Sequence, residues 1–297
     1  MTEALSIMLW PLVACLLLPG ILVYYGLHIV RREIIFVDLA LAQVAALGIC
    51  LSILLKHDAH DWQTYAWSLG FTFVGAAIFT LTRTQDHRVP QEALIGIVYV
   101  VAAATAILLL SQSAEGDEEL KRTLVGDILL VQPKDIFPAF GLYAVVGVIH
   151  FVFRKKFLMI SFEPERAVVE GLSVRGWDFL FYVLFGFVVT SFVHIGGVLM
   201  IFSYLIVPAV CANLLAQSLR TKLLLGWLTA TLASVVGLYL SYKNDLPTGA
   251  SIVCALGGAL LLVGVGARFL RRAGVTSSLD AGSGPARTNS PVPTSDR

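Results

Sequence analysis

The chain of 297 residues is 57% hydrophobic and only 14% charged, whereas soluble domains carry about a quarter charged residues. This composition excludes a soluble globular protein, because the chain has too few charged residues to cover a core of this size. The formal net charge of +1 gives no reason to expect a nucleic-acid partner. We therefore expect an all-α polytopic membrane protein.

Apolar runs of about 20 residues, the length that crosses about 30 Å of hydrocarbon, recur along the chain. They predict about nine transmembrane helices, with eight as the alternative count, in one domain over residues 1–270. The runs lie near 5–27, 34–55, 62–82, 93–112, 136–153, 177–193, 196–218, 221–241 and 248–268. Only the sequence HIGG at 194–197 separates the sixth run from the seventh. Segment 271–297 is rich in Ser, Pro and Gly and is predicted to be a disordered tail.

The lysines and arginines are distributed unequally between the two sides of the predicted bundle. With the amino terminus outside, 16 of the 21 basic residues fall on the cytoplasmic side. The positive-inside rule therefore places the amino terminus outside and the carboxyl terminus in the cytoplasm of a multi-pass plasma membrane protein. Loop 111–136 then lies outside, and the loop over 154–176, which begins with basic residues, lies in the cytoplasm.

No catalytic motif is present in the sequence. It contains no G-x-x-x-x-G-K-[ST] loop for nucleotide phosphates, no H-E-x-x-H and no G-x-S-x-G. The four cysteines stand singly in apolar runs, which is typical of small core residues. We predict that the chain is not an enzyme and binds no cofactor itself.

Two polar residues interrupt the second span, FVDLALAQVAALG at 36–48. A carboxylate such as Asp38 costs several kcal/mol inside a bilayer unless it faces a cavity or a partner, so it indicates a transport pathway. It lies only about four residues from the cytoplasmic end, so it could instead reach the membrane interface. Gln43 lies deeper and could instead form a hydrogen bond between helices.

The cytoplasmic loop contains a short predicted helix. Glu163, Pro164 and Glu165 place a proline and acidic residues in a first helical turn, and Gly171 is a stop signal. The helix could lie passively at the membrane surface, or its apolar residues could form a docking surface for another protein.

The order of several stretches resembles the permease subunits of the ABC-3 family over roughly residues 5–270. These stretches are FVDLALAQVAALG at 36–48, EALIGIVYV at 92–100, TLVGDILLVQPKDI at 123–136, SFEPERAVVEGL at 161–172 and GGVLMIFSYLIVPAVCANLL at 196–215. The resemblance implies an importer-type permease bundle in the bacterial inner membrane. It implies import of a divalent transition-metal ion (zinc, manganese or iron), driven by ATP that a separate ATPase subunit hydrolyses.

The resemblance also implies partners and residue roles. The expected partners are the ATPase, an extracytoplasmic metal-binding protein and a second permease copy in a homodimer or pseudo-dimer. The cytoplasmic helix would be the coupling helix that docks in the ATPase. Its residues are Phe162, Glu163, Pro164, Glu165, Arg166, Ala167 and Gly171.

The second span departs from the family pattern F-V-G-D-A-L-S-H-A. Leu39 stands where the family has Asp, and Gln43 stands where it has His. Asp38 and Gln43 are roughly 140° apart on a helix and cannot bind one ion together. The ion would use other polar groups such as Glu92 or His194, or pass with much of its hydration shell. A lone histidine such as His194 is more often a solvated or capping residue.

Two other functions stay open at this point. A proton-coupled secondary transporter could use Asp38 as its proton carrier. A permease for iron chelates or cobalamin has similar motifs, although the chain length and nine spans favour free metal ions. The sequence does not indicate which ion is carried.

Overall fold

The computed structural model describes residues 2–34, 36–58, 61–82, 90–113, 116–126 and 128–280. Within these ranges the regular structure is helical, with no strand. The helices are α1 (Thr2–Arg31), α2 (Val37–Leu54), α3 (Trp62–Leu81), α4 (Gln91–Leu110), α5 (Gly116–Val125), α6 (Pro133–Val152), α7 (Arg154–Phe162), α8 (Pro164–Val169), α9 (Val174–Leu215), α10 (Leu219–Asn244) and α11 (Thr248–Asp280).

Eight of the described helices are long and apolar enough to cross a membrane, namely α1 to α4, α6 and α9 to α11. Helices are the form that such apolar segments adopt, because every backbone polar group in hydrocarbon must be bonded within the segment. Seven of them correspond one to one with predicted runs. The 42-residue α9 covers both the sixth and the seventh run.

Helix α9 consists of two limbs that reverse direction at Gly197, where φ is 71° and ψ is 172°. Near the start of the first limb, Asp178 bonds Arg32, which directly follows α1. Near the end of the second limb, Ala212 packs in one buried cluster with Leu27, close to the same end of α1. Both limbs therefore run between the same two ends of the bundle. The predicted division at HIGG is confirmed, so the described residues contain nine helical segments of membrane-spanning length.

The connections gather at two ends of the bundle. We call the end that holds Arg32, Ser161 and Asp178 the basic end, because the loops there carry most of the basic residues. The opposite end, where Arg122 and His194 line one cavity, is the cavity end. The described residues Arg32, Ser161 and Asp178, predicted on one side of the membrane, thus lie at one end, and Arg122 and His194, predicted on the other, lie at the opposite end. Which end faces the cytoplasm stays a prediction from the charge distribution.

Close backbone approaches hold the central helices together. A Cβ at Gly26 on α1 would overlap the carbonyl oxygen of Leu205 on the second limb of α9. Lipid is as apolar as a leucine side chain, so association in a bilayer depends on such close packing. The central helix α9 packs against α1, α2, α3, α10 and α11.

The two long loops contain additional helices. The short helix predicted in this loop is observed as α8, which begins at Pro164, and Gly171 follows it with φ 71°. Phe162 was predicted as part of this helix but ends α7 instead, because the chain leaves helical geometry at Glu163. The coupling role of α8 stays a prediction. Helices α7 and α5 were not predicted. The tail that the sequence predicts to be disordered from residue 271 is helical as far as Asp280, and 281–297 lies outside the described residues.

Candidate functional site

A cavity of ≈ 590 Å³ opens at the cavity end between α3, α5, α6 and the first limb of α9. Tyr65 from α3 and Ser191 and His194 from α9 contribute polar side chains to its wall. The rings of Tyr65 and His194 lie 5.7 Å apart, centroid to centroid. The cavity is therefore an open pocket with a mixed polar and apolar wall, built from segments that are distant in the sequence.

The charged residues of the cavity wall are balanced in sign. Asp61 and Asp135 are acidic, and Arg122 and Lys134 are basic. Asp135 is also engaged in capping α6, since its Oδ2 accepts the backbone N–H of Gln132 at 3.0 Å. The wall is thus not a purely anionic funnel for cations.

His194 is held in a defined orientation. Its Nδ1 lies 2.8 Å from the carbonyl oxygen of Thr190. A carbonyl can only accept, so Nδ1–H donates, and a neutral ring carries its lone pair on Nε2. An imidazole oriented in this way is the form that binds metal ions. Of the four predicted pathway residues, His194 is the one that lines the cavity.

Asp38 lies in the first turn of α2 at the basic end and is fully buried. Its Oδ1 accepts the backbone N–H of Leu39 at 2.7 Å, which satisfies one of the unpaired donors at the helix start. Its Oδ2 is buried without a hydrogen-bond partner in the described structure. The Oδ1 atom thus caps the helix, whereas no hydrogen bond in the described structure accounts for the burial of Oδ2.

The remaining predicted residues lie apart from the cavity. Gln43 is 2% exposed, and α2 is continuous from Val37 to Leu54, so Gln43 and Asp38 point in different directions. Glu92 lies in the first turn of α4 at the basic end. No three His, Cys, Asp or Glu side chains within the described ranges are grouped so that they could hold a metal ion. The four predicted residues therefore do not form one site.

A cluster that the sequence did not predict lies at the basic end around Arg32, which is 5% exposed. Its Nη1 donates to Asp178 Oδ1 at 2.9 Å, and its Nε donates to Ser161 Oγ at 2.8 Å. Ser161 Oγ also lies 2.7 Å from His28 Nδ1, and the guanidinium lies 4.0 Å from the ring centroid of Phe181. We call these five residues the Arg32 cluster. The sequence offered one signal for this cluster, namely that Arg32 is a basic residue close to a predicted helix end.

Helix α8 projects from the same end. Ala167 is buried, whereas Val168 and Val169 are 61% and 86% exposed. Arg166 donates to Glu163 at 2.9 Å and to Glu170 at 2.8 Å, and these bonds raise the pKa of its guanidinium. Arg166 thus pairs with the acidic residues at both ends of the helix, and the two valines form an apolar face that is exposed among the described residues.

A bundle of nine helical segments of membrane-spanning length, with a cavity at one end and an exposed short helix at the other, is typical of polytopic membrane transport proteins. Residues 4–266 match the ABC 3 transport family. The chain belongs to this family, and the predicted membership is confirmed.

Individual relatives agree with this assignment. The manganese transport system membrane protein MntC of Listeria innocua is 30% identical over 197 residues, 64% of this chain and 70% of its own length. The manganese import system permease protein ScaB of Streptococcus gordonii is 28% identical over 228 residues, 77% and 80% of the two chains. The solved structure of PsaBC from Streptococcus pneumoniae in complex with Fab superposes with a TM-score of 0.75 at 25% identity, and covers 88% of this chain and 93% of its own.

Proposed function

We propose that this chain is the permease subunit of an ATP-driven importer for a divalent transition-metal ion, with Mn²⁺ as the first candidate. Its relatives MntC and ScaB carry manganese transport in their names, which supports this choice of ion. A separate ATPase would hydrolyse the ATP, and an extracytoplasmic binding protein would deliver the ion. A second permease copy would complete the pore.

The exposed apolar face of α8 is the observation that carries the proposal. Val168 and Val169 are exposed next to Arg166, whose guanidinium is paired with Glu163 and Glu170. A short helix of this kind suits docking in a groove of a partner protein. The density of basic residues at the same end supports a cytoplasmic location, where ATP is available.

The cavity at the opposite end would receive the substrate. In this scheme His194 would offer one imidazole ligand after its buried Nε2 becomes accessible, and Asp61 provides negative charge on the same wall. One imidazole is too few ligands to replace the hydration shell of the ion. We therefore expect the ion to retain most of its water as it enters.

Purification from native membranes in mild detergent tests the partnership. We expect mass spectrometry to find an ATPase in stoichiometric amount with the wild-type chain and loss of this subunit from Val168→Asp/Val169→Asp. The matched control is Lys243→Glu, an exposed charge reversal at the cavity end. A chain that purifies alone in all three forms contradicts the proposal. Retention of the ATPase by the valine variant contradicts only the role of α8.

A second candidate substrate is a chelated metal, and the balanced charge of the cavity favours it. Arg122 and Lys134 on the wall would attract the carboxylates of a chelate and repel a bare cation. Competition decides between the two substrates. Excess Fe(III)–citrate should leave Mn²⁺ uptake unchanged if the free ion is carried, and should suppress it if the chelate is carried.

A further inference from the structure

The Arg32 cluster joins three elements through one guanidinium. Arg32 follows the last residue of α1, Ser161 lies in the last turn of α7, and Asp178 lies in the first limb of α9. These contacts span 129 and 146 residues of sequence. A planar guanidinium with several donors in fixed directions can bind both partners at once, which a lysine ammonium does less well.

The two partners of Arg32, Ser161 and Asp178, lie on either side of α8 in the sequence. Ser161 precedes the start of α8 at Pro164 by three residues, and Asp178 follows its end at Val169 by nine. Both ends of the loop that carries α8 are therefore attached to the same side chain. If α8 is displaced, Ser161 and Asp178 at the two ends of this loop must move with it, unless their buried contacts with Arg32 break.

The first limb of α9 connects this base to the cavity. It is helical from Asp178 to His194, a distance of about 24 Å at 1.5 Å per residue. A helix is stiff over this length, so a shift at Asp178 moves the cavity wall that carries His194.

We propose that Arg32 is a positioning residue that makes the α8 loop move as one body with α1 and the first limb of α9. Docking and nucleotide-driven closure of the ATPase are thereby transmitted to the cavity. This inference rests on the proposed function. It goes further by assigning the transmission step to Arg32 and Ser161, which lie outside both α8 and the cavity.

Burial strengthens the ion pair between Arg32 and Asp178. Arg32 and Asp178 are 5% and 0% exposed, so their attraction is only weakly screened by water and salt. Breaking a buried pair by removing one partner is strongly destabilising, because a charge is left without compensation. Ser161→Ala avoids this penalty, since it leaves the ion pair in place and removes only the hydrogen bonds of Ser161 Oγ to Arg32 and His28.

The test uses the complete complex of permease and co-purified ATPase in proteoliposomes. We measure the amount of Mn²⁺ imported per ATP hydrolysed for the wild type, Ser161→Ala and Arg32→Lys. We expect this ratio to fall at least fivefold in both variants while ATP hydrolysis stays within twofold of wild type. Ser173→Ala is the matched control, because it is the same substitution at an exposed serine of the same loop, and its ratio should not change.

Each outcome has a distinct meaning. Wild-type import per ATP in the assembled Ser161→Ala complex overturns the inference and leaves the proposed function intact. If Arg32→Lys does not assemble, Ser161→Ala alone decides, since it keeps the ion pair. A wild-type complex that imports no metal with ATP, or a chain without an ATPase, refutes the proposed function and the inference with it.

Discussion

Gly197 is the position where a single methyl group should disturb the bundle most clearly. Its φ of 71° and ψ of 172° lie in a region that is essentially restricted to glycine, and a side chain there costs about 1–3 kcal/mol of strain. A Cβ would also overlap the backbone nitrogen of Gly126 and approach the Leu124 carbonyl oxygen to 2.8 Å. Such overpacking typically costs a further 1–3 kcal/mol or so.

For Gly197→Ala we therefore expect a loss of about 2–6 kcal/mol in the free energy of unfolding. At roughly 2 °C per kcal/mol for a chain of this size, the Tm in detergent should fall by about 4–12 °C. The measurement is thermal denaturation of the purified protein at a fixed scan rate, followed by the loss of monodisperse material.

Two further alanine variants separate strain from the general effect of removing a glycine. Gly258→Ala in α11 has no atom within 4 Å of the new Cβ, so it should be neutral or stabilising by up to about 1 kcal/mol. Gly196→Ala would meet only the side-chain tips of Met200 and Phe192, so its cost should be intermediate. A Gly197→Ala protein that melts with the wild type would refute the account of the α9 reversal.

Three other predictions follow from the buried polar groups. Asp178→Leu leaves the Arg32 charge buried and should lower the free energy of unfolding by about 3–5 kcal/mol. Adding Arg32→Leu should restore part of this loss in a double-mutant cycle. Strictly additive losses in the two single variants would contradict a direct pairing. Asp38→Asn keeps an oxygen that can accept the Leu39 N–H, so ATP-driven uptake should persist near the wild-type rate, and its abolition would favour the proton-carrier alternative. His194→Ala should raise the KM for Mn²⁺ uptake roughly tenfold, equivalent to about 1.4 kcal/mol of binding, and an unchanged KM would remove His194 from the pathway.

Hydropathy was sufficient to predict the crossings, because a segment in hydrocarbon must bond its own backbone and therefore becomes a helix wherever about 20 apolar residues occur. Local signals were equally sufficient for α8, where Pro164 begins the helix and Gly171 follows its end. The reversal at Gly197 could also be predicted from the sequence, since two adjacent glycines interrupt an apolar run that is too long for one span. Each of these features depends on residues that are neighbours in the chain.

The candidate site could not be predicted in the same way. Arg32 and Asp178 are 146 residues apart, and no local pattern indicates that an arginine at one helix end meets an aspartate at the start of another. The sequence placed Asp38, Gln43, Glu92 and His194 in one hypothesis because they are polar residues in or beside spans. Their separation depends on how the helices are arranged around α9. Side-chain packing between distant segments decides that arrangement, and hydropathy along a single segment does not contain it.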